Sequence, residues 1–171
     1  MLSRKVGCSV RAGFSRDGYI IDQDQFSAYR YRGMPSSVNG CGWVAAYDLL
    51  RAQGREVNFE TVHRDMNALF PLQVPGPTPV RKLMRYLRRH GKYRLTWGWS
   101  LSLRAAARAE AGIIRYCEGR TPHFVPFLRR EDGLYRFFNV SDGLEDMSCS
   151  MEDFFAGHCL RPLVRVITPA D

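Results

Sequence analysis

Ser36-Ser37-Val38-Asn39-Gly40-Cys41-Gly42-Trp43-Val44-Ala45-Ala46-Tyr47-Asp48-Leu49-Leu50, closed four residues later by Gly54, is the stretch that decides the fold. Its first half is polar and contains glycine; its second half is apolar around most of a helical circumference. A helix apolar nearly all round is a buried one. The reading is a core helix over Gly42–Gln53, with Gly54 as its C-terminal stop. Cys41 then stands at the helix entrance. There it feels the positive end of the helix dipole and the unpaired amides of the first turn. Both favour the thiolate, the reactive form of cysteine.

The rest of the chain bounds what such a thiol could serve. There are 171 residues, 45% of them hydrophobic, enough for one folded domain with a real core and too apolar for disorder. The expected organisation is a single domain, 1–171, with an irregular N-terminal segment over 1–35 and a core over 36–168. No apolar run has membrane-span length, and Met1–Gly13 lacks an apolar signal core. The expectation is a cytoplasmic protein with no membrane partner. The five cysteines (Cys8, Cys41, Cys117, Cys149, Cys159) are odd in number and form no CxxC pair. Neither a disulfide framework nor a structural zinc site is supported, and no metal or organic cofactor is expected. The formal charge is +8, carried by 22 Arg and only 3 Lys. The most basic patch follows Thr78-Pro79, where Arg81, Lys82, Arg85, Arg88 and Arg89 alternate with Val80, Leu83, Met84 and Leu87. That is the wet side of an amphipathic helix, with proline at its first position.

Helices dominate the first two thirds and strands the last third, which reads as α+β. Asn58 caps a helix from Phe59 to about Phe70. Tyr93–Trp99 reads as a short strand and Ser100–Ala111 as an alanine-rich helix stopped by Gly112. Strands follow at Ile113–Cys117, His123–Leu128, Leu134–Val140 and Leu160–Thr168. Ser150 caps a short helix through Met151, Phe154 and Phe155.

His123 opens one of these strands and Asn139 lies near the end of the next. A five-residue turn over Arg129–Gly133 would set Leu128 opposite Leu134 and His123 opposite Asn139. Opposed side chains are roughly 4.5–5.5 Å apart at Cβ, so Asn139 could orient the imidazole. A two-residue turn at Asp132-Gly133 would instead oppose His123 to Asp142. Each residue also has a plain alternative. A cysteine before an apolar helix can be a small buried hydrophobe, and Asn139 a strand-end turn former.

This pattern resembles the papain-like cysteine peptidases, nearest the compact bacterial members that clip leader peptides. The matching pieces are Asn39-Gly40-Cys41-Gly42-Trp43, His123-Phe124-Val125 and Tyr135-Arg136-Phe137-Phe138-Asn139. The resemblance implies a buried N-terminal helix carrying the nucleophile, packed on an antiparallel sheet. It also implies catalytic roles for Cys41, His123 and Asn139, with Asp142 the alternative orienter. Papain-like peptidases place a glutamine several residues before the nucleophile to bind the oxyanion. Pro35–Gly40 contains none, and Asn39, with the Cys41 N–H, is the expected substitute.

The chemistry implied is acyl transfer from an amide or ester. His123 takes the thiol proton, Cys41 attacks the carbonyl, and water releases the acyl-enzyme. A peptide or protein is the implied substrate. Two alternatives stand beside this: a catalytically silent papain-like domain that binds peptide, and a basic binder of nucleic acid or anionic surfaces using Pro79–His90. The last lacks any stacking motif or helix-turn-helix signature and ranks lowest.

Overall fold

The structure is a computed structural model, and it describes residues 11–119, 121–140, 146–159 and 163–170. Asp142 and Cys8 lie outside the described residues. A one-turn 3-10 helix over Gln23–Phe26 leads into a two-stranded ribbon, β1 (Arg30–Tyr31) and β2 (Met34–Pro35). Four helices follow: α1 (Ser36–Asn39), α2 (Cys41–Ala52), α3 (Phe59–Asn67) and α4 (Val80–Leu87). Then come β3 (Tyr93–Trp97), α5 (Trp99–Arg108), β4 (Ala111–Glu118), β5 (Thr121–Arg129), β6 (Tyr135–Phe138), β7 (Asp146–Cys149), α6 (Met151–His158) and β8 (Arg165–Pro169). The large sheet runs β3-β8-β4-β5-β6-β7 and is antiparallel throughout.

Local sequence explains most boundaries. Gly54 ends α2 at φ +73°, a conformation costly for other residues. The Asn58 carboxamide oxygen accepts from Thr61 N at 3.1 Å, and Ser150 Oγ accepts from Asp153 N at 3.0 Å, so both expected caps form. Pro79 is the N-cap of α4 rather than its first helical residue; its ψ of 134° is still extended. Gly112 does not stop α5 as expected. It lies inside β4, where a Cβ would meet Phe127 Cζ at 2.6 Å and the Ile167 carbonyl at 2.7 Å. Its smallness lets an aromatic ring cross the strand.

The two sheet faces carry separate cores. α2, α3, α4 and the segment from Phe14 to Tyr31 cover one face, and Trp43, Val44, Leu49 and Leu50 share one core cluster with Ile113, Phe124 and Ile167 of the sheet. α5 and α6 cover the other, packing Ala106, Phe154 and Phe155 against Ile114, Tyr116, Val125, Phe127 and Phe137.

The β5–β6 register differs from both expected ones. Leu128 faces Arg136, and Phe127 faces Phe137. The pairing is displaced two residues from the one that opposed His123 to Asn139. The reason lies in the turn: Arg130 N donates to Leu134 O and Gly133 N to Arg130 O, which continues the hairpin beyond Leu128 and shortens the reversal. A two-residue slip keeps each side chain on its face, so the core pattern was right while the opposition was not.

Candidate active site

Cys41 is 5% exposed and carries a free thiol. The helix does not begin there. Ser36–Asn39 already makes a helical turn, and Gly40 keeps helical angles (φ −75°, ψ −13°) with its N–H bonded to Ser36 O at 2.8 Å. Trp43 N and Val44 N both donate back to Gly40 O at 3.1 Å. The thiol thus stands more than one turn inside a helical run starting at Ser36, and the dipole effect, strongest in the first turn, is diluted.

Glycines on either side of the thiol are required by packing. A Cβ on Gly40 would meet the Ser36 Cβ and the Trp43 indole nitrogen, each at 2.9 Å, and that nitrogen donates to Ser36 Oγ at 3.1 Å. A Cβ on Gly42 would run into Thr78. Thr78 Oγ1 in turn shares a hydrogen bond of 3.1 Å with the buried Tyr31 hydroxyl. Burial raises the Tyr31 phenol far above its ordinary value, and the Thr78 hydrogen bond only partly opposes that rise. The neutral Tyr31–Thr78 pair is therefore a fixed wall near the thiol.

Asn39 has a structural engagement. Its Nδ2 donates to Tyr31 O at 3.0 Å and to Gly76 O at 3.4 Å, while its Oδ1 is buried and accepts no hydrogen bond among the described residues. It ties the β1 ribbon to the loop before α4.

His123 and Asn139 are brought together, though not as opposed side chains. His123 Nε2 lies 2.8 Å from the backbone carbonyl oxygen of Asn139. Asn139 adopts φ +54°, turning the chain out of β6; asparagine tolerates this region better than most residues. Its side chain goes elsewhere. Oδ1 accepts from Gln23 N at 2.9 Å and Nδ2 donates to Gln23 Oε1 at 3.0 Å. Gln23 Nε2 then donates to Ser37 O at 3.0 Å.

A continuous polar chain, Ser37–Gln23–Asn139–His123, thus ties the turn before Cys41 to the end of the sheet. Gln23 escaped the sequence reading because it stands eighteen residues before Cys41, inside Asp22-Gln23-Asp24-Gln25. Nothing in that alternation distinguishes it from Gln25, whose amide merely bonds Asp22.

The imidazole itself leaves β5 on the α6 side. His123 pairs with Tyr116, and the two rings meet edge-on at 5.9 Å. Tyr116 also meets Phe154 and His158 of α6 at 6.0 and 6.2 Å. Cys41 belongs to the helix on the opposite face. An approach of imidazole to thiol therefore runs around the sheet end at Asn139, not across the sheet. On the thiol's own side lies His63, half-buried, its ring 5.3 Å from Trp43 and its Nε2 3.0 Å from Arg30 O. Burial lowers its pKa.

No family model matches the chain, and no curated protein does. Among solved structures it is similar to the peptidase domain of Streptococcus ComA, a bi-functional ABC transporter involved in a quorum-sensing pathway. That similarity has a TM-score of 0.54 and spans 78% of this chain and 93% of that one, at 12% identity. The fold is papain-like. At such low identity the likeness speaks for architecture: an α+β body in which a buried helix rests on an antiparallel sheet. No helix among the described residues is long and apolar enough to cross a membrane. No group of three or more potential metal ligands occurs among them either.

Proposed function

We propose that the chain is a cysteine-dependent hydrolase acting on peptide or amide substrates through an acyl-enzyme at Cys41. The observation that carries this reading is the polar chain from Ser37 through Gln23 and Asn139 to His123. In helical geometry the Ser37 carbonyl points toward the Cys41 N–H, so Gln23 brings a carboxamide alongside the backbone of the nucleophile. Among the described residues one Gln23 Nε2–H has no acceptor and can serve an oxyanion, a role the engaged Asn39 amide is poorly placed to fill. The Asn139 carbonyl holds the imidazole at the sheet end through Nε2, and His123 is the proton carrier in this reading. Asn139 acts on the imidazole through its backbone and on Gln23 through its side chain. His123 takes the Cys41 proton, the thiolate attacks the carbonyl, and the imidazolium protonates the leaving amine before water releases the acyl group. The chain is read as a single unit, its working core extended beyond 36–168 to take in Gln23.

Selective alkylation tests this. Burial pushes the Cys159 thiol up to about 12 and raises Cys149 too, so both are protonated comparators. Iodoacetamide at about pH 5.5 should modify Cys41 well ahead of Cys149 and Cys159 in peptide mass maps, because only an activated thiol is ionised there. Cys41→Ser should abolish hydrolysis of an activated ester. Equal labelling of the three cysteines would remove the activated thiolate.

The departure of His123 toward Tyr116 favours a second reading, a papain-like domain that binds peptide without cutting. It predicts saturable peptide binding unchanged by Cys41→Ser and no acyl-enzyme with activated esters.

A further inference from the structure

A groove of about 940 Å³ opens between α5 and the β3–β8 end of the sheet, closed below by Ala52 and Gln53 at the end of α2. Cys41 stands at the other end of that 12-residue helix, roughly 18 Å away at 1.5 Å per residue. The groove is thus separate from the candidate active site.

Three arginines line it: Arg94 on β3, and Arg104 and Arg108 on α5. Arg104 and Arg108 are four positions apart and share one helix face, where like charges repel. Among the described residues no carboxylate pairs with any of the three. Glu110, also at the rim, is 3.5 Å from Arg129. Arg104 Nε donates to Ser100 O at 3.2 Å, which fixes its stem. Cations late in a helix do complement its dipole, but that reason does not reach Arg94, which comes from a strand. Between the guanidiniums the walls are alanines, Thr96 and Leu101, leaving room rather than bulk.

We propose that this groove binds a phosphorylated small molecule of nucleotide size. Guanidinium forks match phosphoryl oxygens two at a time, which a lysine ammonium does not, and the lining contains no lysine. The volume lies within the range of small-ligand sites, roughly 300–1,000 Å³. Thr96 and Gln53 offer neutral hydrogen bonds for ligand hydroxyls.

Calorimetric titration of the full chain at about 0.15 M salt tests this with ADP, inorganic pyrophosphate, adenosine and citrate. ADP should bind saturably at one equivalent and adenosine should not. Pyrophosphate as tight as ADP would mean the groove reads phosphoryl groups alone; ADP tighter would mean it also reads the organic part. The triple variant R94Q/R104Q/R108Q should weaken binding at least tenfold. A control with the same charge loss on α4 and the turn after it, R81Q/R85Q/R89Q, should change it less than twofold. If the triple variant does not fold, Arg104→Gln alone should still weaken binding severalfold. Absence of saturable binding by ADP and pyrophosphate, citrate binding as tightly, or equal weakening by the two triples would overturn the proposal.

Discussion

The two faces of the sheet are built on different terms. On the α5–α6 face the core is a stack of rings: Phe137 lies parallel to Phe154 at 4.0 Å and 9°, with Tyr116, Phe127 and Phe155 around them. On the α2 face, aromatic packing is interrupted by more buried polar groups, Ser36, Asn39, Asp48, Thr78 and, at the sheet end, Asn139, against Ser102 and Thr168 on the α5 side. Burying polar atoms costs free energy unless each finds a partner. Asn39 Oδ1 and Asp48 Oδ2 accept no hydrogen bond among the described residues. A fold optimised only for stability would use apolar residues there. The difference teaches that one face holds the molecule together while the other gives up stability around the thiol.

If that division is right, the largest stability loss comes from the ring stack. Phe154 is fully buried, and Phe154→Ala should cost about 3–5 kcal/mol in a denaturant titration. A loss under about 1 kcal/mol would show that the α6 face is not the main support.

Gln23→Ala probes the other face. It removes the bridge between Ser37 and Asn139. Turnover of an activated ester should fall about 10²–10³-fold, chiefly in kcat, as expected for loss of an oxyanion donor. The melting free energy should change by only about 1–2 kcal/mol. A bridge with no catalytic part would give that stability loss with kcat intact.

Gly42→Ala lies between these. Alanine favours a helix over glycine by about 1 kcal/mol, yet its methyl would collide with Thr78, whose Cβ would be 2.5 Å away. The clash should win, with a net loss of about 1–3 kcal/mol, and adding Thr78→Ser should not relieve it, because serine keeps the Oγ and Cβ that lie nearest the new methyl. Equal stability of parent and Gly42→Ala would mean the loop before α4 yields freely, and the wall near Cys41 is soft.

How far these features could be read from sequence follows physical range. Periodicity is local, so α2, α3, α4 and α6 and their caps at Asn58 and Ser150 were legible. The α+β class followed from them and from the later strands; the papain-like plan came from the resemblance of the segments around Cys41, His123 and Asn139. The strand β7 was missed because Asp146-Met147-Ser148-Cys149 alternates exposed and half-buried residues with little apolar content. The β5–β6 register turned on two backbone hydrogen bonds in a polar turn, which composition does not encode. At the candidate site, Cys41, His123 and Asn139 were visible as residue types. What the sequence could not convey was that Asn139 would offer its carbonyl to the imidazole and its carboxamide to Gln23. That depends on a left-handed φ and on a partner 116 positions away.

Asp48 gives the smallest expected effect and a test of the same asymmetry through pH. The residue is fully buried in α2, and its Oδ1 accepts from Ile20 N at 2.8 Å. Burial raises its carboxyl pKa well above the ordinary value. The Ile20 hydrogen bond and the charges of Arg51 and Arg136 oppose that rise, while Asp17 adds to it. Between the unfolded value of about 3.9 and the raised folded one, the folded chain keeps a proton that the unfolded chain has released. Stability contributed by neutral Asp48 is therefore full below about pH 4 and is lost as pH climbs through that window. Asp48→Asn stays neutral at every pH and its carbonyl can still accept from Ile20. The variant should match the parent near pH 4 and exceed it by about 1 kcal/mol or somewhat more at pH 8, read as a difference in urea midpoints at the two pH values. A variant equally destabilised at both would mean that Asp48 is ionised in the fold and held by Arg51 and Arg136, so that this face stores a working charge rather than a neutral polar group.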